Sequence, residues 1–177
     1  MTPFFEITHH GAIRGVTGSC HELRLAGGPG MLVDCGLFQG AETSGTGAGA
    51  GQLAMDFPVG HIQALVVSHV HIDHVGRIPY LIAAGFRGPI VCTEPSARLL
   101  PLVLEDAVRM GITQDRLLVE RYIRAITARI VAVPYRRWQR VVPGEGAGVP
   151  AGGAAANGAG AGGSIDIRFQ PAGHILG

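Results

Sequence analysis

Apolar positions recur along the chain with two different periods, and the switches between them predict its elements. Phe4–Thr8 reads as a strand. His21–Ala26 alternates polar and apolar residues, as a half-buried strand does. The turn cluster Gly27-Gly28-Pro29-Gly30 follows, then Met31–Cys35 as a buried strand, so the chain begins as an antiparallel unit. Ile62–Val67 predicts a second buried strand. A helix is expected from about Asp73 to Ala84, closed by Gly85, with Pro79 either kinking it or marking its first turn. Pro89–Thr93 predicts a short strand. Thr93 can cap the helix after it, with Pro95 in the first turn, Pro101 as a potential break and an end near Met110. In Thr113–Ala128, Val119, Tyr122, Ile123 and Ile126 fall at helical spacing, and Arg116, Glu120, Arg121 and Arg124 mark the wet side. That is the pattern of a packing helix. Residues 138–142 and 165–170 read as strands. Two stretches lack any period. Residues 40–52 are rich in Gly, Ala, Ser and Thr and predict a flexible loop. Residues 144–163 are almost wholly Gly, Ala, Pro and Asn, too poor in large apolar side chains to order themselves, and predict a disordered hairpin insertion.

Composition narrows the class. At 177 residues the chain is one domain or part of one, and 47% hydrophobic with 15% charged residues predicts a globular fold. All 14 basic residues are Arg, and the formal net charge is only +1, so no global basic field advertises nucleic acid. Any nucleic-acid recognition would have to be local or supplied by a part of the protein outside these residues. Cys20, Cys35 and Cys92 form no CxxC pair, which fits a reduced, cytoplasmic setting. No signal peptide is visible, and no apolar run is long enough for a membrane span.

The chemistry concentrates directly after Ile62–Val67. Residues 68–79 read Ser-His-Val-His-Ile-Asp-His-Val-Gly-Arg-Ile-Pro, placing His69, His71, Asp73 and His74 within six positions. Alternation along a strand predicts that His69 and His71 point the same way, and the turn after them can carry Asp73 and His74 to an adjacent point. Neutral imidazoles and a carboxylate suit zinc or a related divalent ion, and two ligand pairs on one loop suggest two metals side by side. Such a pair suits hydrolysis, because it lowers the pKa of a shared water to roughly 7 and stabilises charge on the attacked centre. A structural zinc site is disfavoured, since no Cys takes part.

This His-x-His-x-Asp-His wording resembles the signature of the metallo-β-lactamase fold. Val16-Thr17-Gly18-Ser19-Cys20 is similar to that family's Gly-Ser loop. Asp34-Cys35-Gly36-Leu37-Phe38-Gln39-Gly40 resembles its first motif, and Ala172-Gly173-His174-Ile175-Leu176-Gly177 its third. Together, with Gly76-Arg77-Ile78-Pro79, they are most similar to the β-CASP branch, the nucleases of RNA 3′-end processing and decay. Within it they are closest to the prokaryotic RNA-processing exonucleases and the cleavage-factor endonuclease.

The resemblance implies an α/β fold, the four-layer αββα sandwich, in partial form up to the third metal motif. It implies one metal held by His69, His71 and His174, and a second held by Asp73 and His74, with Asp34 orienting a ligand histidine. Zn2+ is the expected metal, two per complete site, with Mn2+ as an alternative. RNA is the expected substrate, and a homodimer is open because relatives often pair. The family continues past the third motif with an Asp that bridges both metals, the β-CASP domain and further histidines. Residues 1–177 are therefore expected to be the N-terminal portion of a longer enzyme, inactive and poorly soluble by itself. Two rivals stand beside the nuclease: a small-molecule ester, thioester or lactone hydrolase, which the first and third motifs oppose, and a non-catalytic scaffold, which the intact ligand set opposes.

Other candidates are weaker. His9, His10 and His21 read as surface or turn histidines. Tyr135-Arg136-Arg137-Trp138-Gln139-Arg140 can stack bases and hold phosphates, but a solvated strand edge accounts for it more simply.

Overall fold

The structure is a computed structural model and describes residues 5–26, 28–39, 54–142 and 164–175. The stretches 40–52 and 144–163 lie outside the described residues, as does Gly27 of the turn cluster.

Three strands open the fold: β1 (Phe5–His9), β2 (His21–Leu25) and β3 (Gly30–Val33). They pair antiparallel in order. β4 (Ile62–Val66), β5 (Ile90–Thr93) and β6 (Ile130–Val133) then add in parallel, giving a six-stranded mixed sheet ordered β1 to β6. The parallel joins need crossovers, and helices supply them. Short helices α1 (Ile72–Val75) and α2 (Ile78–Ala83) link β4 to β5. Helices α3 (Glu94–Gly111) and α4 (Arg116–Thr127) link β5 to β6. β7 (Gln139–Val142) and β8 (Ile165–Ile167) form a separate antiparallel pair.

Side-chain alternation along the strands divides the core. Leu32, Leu65, Val67, Ile90 and Cys92 pack against Val75, Ile78, Leu81, Leu100, Leu104 and Ile126 from the helices. Met31, Ala64, Val66, Val91 and Val133 point to the other face, onto Val141, Val142 and Ile165 of the second sheet. Helices, sheet and sheet are three of the four layers expected of the αββα sandwich.

Several local expectations are sharpened. The helix expected over 73–84 divides at Gly76-Arg77, and Pro79 falls in the first turn of α2, where its missing N–H costs nothing. Gly85 closes α2 with φ +109. Thr93 caps α3 by accepting from the Ser96 amide. Pro101 does not break α3, whose residues Leu100, Leu104 and Val108 are wholly buried and hold the helix to the sheet. β6 was not foreseen: Val131 and Ala132 are exposed, and its four residues carry no alternation long enough to register. Gln63 is the one outward residue of β4, at an irregularity in its pairing with β3.

Candidate metal centre

The chain leaves the sheet at the C-terminal ends of β3 and β4, and the candidate residues gather there. β4 ends at Val66, so His69 and His71 stand on the loop beyond it and strand alternation is not what aligns them. The loop itself does so: Val70 between them is buried, and His71 takes the extended backbone position just before α1. His69 Nε2 and His71 Nδ1 come within 3.1 Å, and their rings lie 4.8 Å apart, edge to face. His174 arrives from the segment after β8, following Gly173 at φ +81, with its ring 4.9 Å from His69 and 5.1 Å from His71. One ligand atom from each of the three histidines lies within 4.8 Å of the others.

Asp34 organises what lies beneath. It is 3% exposed and stands just past β3 with φ +62, a left-handed conformation that Asp tolerates better than most residues. Its Oδ1 accepts from the Ser68 amide at 2.8 Å. Its Oδ2 accepts from the Ser68 hydroxyl at 2.8 Å, the Ser19 hydroxyl at 3.2 Å and His74 Nδ1–H at 2.8 Å. Because Ser68 donates to Asp34, its oxygen is left to accept from His69 Nδ1–H at 3.1 Å. His69 and His74 thus both engage Nδ1 inward, which leaves Nε2 as the outward nitrogen, the arrangement that orients a ligand imidazole. His74 Nε2 lies 3.7 Å from Asp73 Oδ2, so these two residues meet at a point adjacent to the three-histidine cluster. The His69 and His74 rings are 4.0 Å apart.

Backbone hydrogen bonds lock the loop in place. Ser19 N–H donates to Asp73 O at 2.9 Å, Cys35 N–H to His74 O at 2.8 Å, and Arg77 N–H to Cys35 O at 2.9 Å. The buried Arg77 guanidinium reaches back to Gly36 O at 2.8 Å. This approach requires glycine at 36, where a Cβ would sit 1.6 Å from the Asp73 carbonyl oxygen.

Electrostatics follow the geometry. Burial, then the neighbouring His74 and His71 rings, lower the His69 pKa below its ordinary value of 6.5, which keeps the imidazole neutral. The hydrogen bond to Asp34 outweighs burial at His74 and raises its pKa. The donor set fits a divalent metal. A tetrahedral zinc spaces its nitrogen ligands roughly 3.3 Å apart, close to the His69–His71 separation. Two nitrogens facing each other at 3.1 Å need a proton or a cation between them.

The metallo-beta-lactamase superfamily model matches residues 13–164, most of the chain. The chain belongs to this superfamily. Among curated relatives of this metallo-β-lactamase chain, a ribonuclease of Thermus thermophilus is 32% identical over 97% of the chain and 33% of its own length. The transcription termination factor FttA of Cenarchaeum symbiosum is 36% identical over 83% of the chain and 20% of its length. The endoribonuclease ysh1 of Schizosaccharomyces pombe is 32% identical over 97% and 20%. The chain thus spans a third or less of the length of these relatives, and their names agree with the β-CASP resemblance of the motifs.

Two features near the centre escaped the sequence reading. Ser68 joins Asp34 to His69, yet a serine before a histidine carries no spacing signal. Buried Glu22 accepts from His10 Nε2 at 2.8 Å and His61 Nε2 at 2.7 Å, and His10 stacks on Phe57 with ring centroids 3.7 Å apart. His10 is therefore part of a buried network and not a spare surface histidine. His9 and His21 do pair near the surface, Nδ1 to Nδ1 at 2.9 Å. Among the described residues no helix is long and apolar enough to cross a membrane.

Proposed function

We propose that this chain is the N-terminal, metal-binding portion of a metal-dependent ribonuclease that cleaves RNA phosphodiester bonds. The observation that carries the reading is the convergence of His69, His71 and His174 beside the Asp34-anchored His74 and Asp73; the ribonuclease relatives support it. His69, His71 and His174 would hold one divalent ion, and Asp73 and His74 would contribute to a second. When bound, such ions lower the pKa of a water to roughly 7 and offset charge building on the scissile phosphorus. Zn2+ suits the nitrogen-rich set best, and Mn2+ suits the carboxylate side.

The chain's own residues supply order. Asp34 acts as a positioning residue: it holds His74 directly and His69 through Ser68, so both Nε2 atoms are aimed at the site before any ion arrives. The neutral state of His69 means that no proton has to leave that ring on metal binding at neutral pH.

The test joins two readouts. Calorimetry should show that His71→Ala weakens Zn2+ binding by at least ten-fold, and the same substitution should abolish cleavage of labelled RNA by the intact protein. RNA cleavage that survives His71→Ala would overturn the proposal. A panel of thioesters and lactones run in parallel separates it from a small-molecule hydrolase.

A further inference from the structure

The metal centre leaves one sequence feature unused, the aromatic–Arg run of residues 135–140. The structure ties it to the rim of the site through Arg168. Trp138 is 60% exposed just before β7, a costly place for an indole with no packing role. One face of its ring is covered: Arg168 Cζ lies 4.9 Å from the ring centroid. The same Arg168 lines a cavity of about 350 Å3 whose wall includes Ser68, His69 and His174. One side chain therefore touches both the indole and the space next to the metal ligands.

The surrounding segments are held together. Arg136, at φ +63, donates its amide to Phe169 O at 2.9 Å, which joins the turn before β7 to the strip leading from β8 to His174. Arg140 is neutralised by Asp166 at 3.0 Å. Among the described residues, Arg136, Arg137 and Arg168 have no carboxylate within ion-pairing distance. Among the described residues the result is an exposed indole with the Arg168 guanidinium over its ring and two exposed arginines without a carboxylate partner, Arg136 and Arg137, just before it in sequence, in a protein whose formal net charge is only +1.

We propose that Trp138 and Arg168 form a subsite for single-stranded RNA beside the metal centre. A nucleobase stacks on the free face of Trp138 while the guanidinium groups of Arg168, Arg136 and Arg137 take the adjoining phosphates. Single strands expose the base faces that such a platform needs, whereas a duplex hides them. The subsite rests on the ribonuclease reading and adds to it where the strand lies.

Trp138 is the only tryptophan of these 177 residues, and the difference in fluorescence between the parent and Trp138→Phe reports this site. The experiment titrates the intact protein and its Trp138→Phe variant, in chelator to prevent cleavage, with a 5′-dye-labelled oligoribonucleotide. Intrinsic fluorescence and dye anisotropy are followed together. The expected result is quenching that saturates with the anisotropy, and loss of quenching with an oligomer made abasic throughout. Trp138→Ala should weaken binding roughly ten-fold with Trp138→Phe restoring part of it, as loss of one base stack predicts. Arg168→Ala should lower the salt dependence of binding by about one phosphate contact. Oligomer binding with unchanged fluorescence, and equal affinity for Trp138→Ala, would overturn the subsite and leave the ribonuclease reading intact. Absence of binding, joined to absence of RNA cleavage by the intact protein, would overturn both.

Discussion

Asp34 shows how much one residue carries. It accepts four hydrogen bonds while 3% exposed, so truncation strands Ser68 and His74 donors in a buried place. Asp34→Ala should cost about 3 kcal/mol in chemical denaturation, in the range for breaking a buried charged partnership. Asp34→Asn tolerates the positive φ and keeps one acceptor, so it should lose clearly less; equal losses would mean that the full carboxylate network, not backbone strain, sets the cost. Glu22 makes the second case, with a pH signature. Burial pushes its carboxyl up, but hydrogen bonds from His10 and His61 outweigh that and hold its pKa below the ordinary 4.5. A depressed carboxylate pKa stabilises the fold above the unfolded value, and the contribution is lost as pH falls through the folded one. Glu22→Gln should therefore be destabilised relative to the parent at pH 7 by about 1–3 kcal/mol, with the gap closing below pH 4.5. A gap that stays constant down to pH 3 would contradict this.

At the scale of elements, β1 is the exposed edge of the six-stranded sheet. All five of its residues are exposed, with Phe5 at 51% and Ile7 at 55%, and among the described residues β2 is its only strand partner. An unpaired edge with apolar side chains is a template for a second chain. The 177-residue chain should therefore self-associate, and Ile7→Lys should shift it toward monomer in size-exclusion chromatography with light scattering. A parent chain that is monomeric at high concentration would refute this. The helices tell the opposite story about context. Pro101 could break α3 by its local chemistry, yet Leu100, Leu104 and Val108 bury completely and override it. Pro79 behaves as local chemistry dictates, because a helix start asks nothing of its nitrogen.

At the scale of the whole molecule, local pattern and tertiary structure divided the protein between them. The sequence alone determined the strands β1 to β5, β7 and β8, the helices α3 and α4 with the Thr93 cap, and the ligand-rich loop. Each rests on periodicity or on spacing within about ten residues, which hydrogen-bond geometry and side-chain direction turn into structure directly. His174 and Asp34 were legible through their motifs, as types of residue in a recognisable setting. Only the tertiary structure decided what those residues meet. The left-handed turn at Asp34, the return of the segment after β8 to His69, the Glu22 clamp on His10 and His61, and Arg168 over Trp138 all join segments 12 to 105 positions apart. Such contacts depend on strand order and register, which the sheet settles by burying its two apolar faces at once; no single segment encodes them.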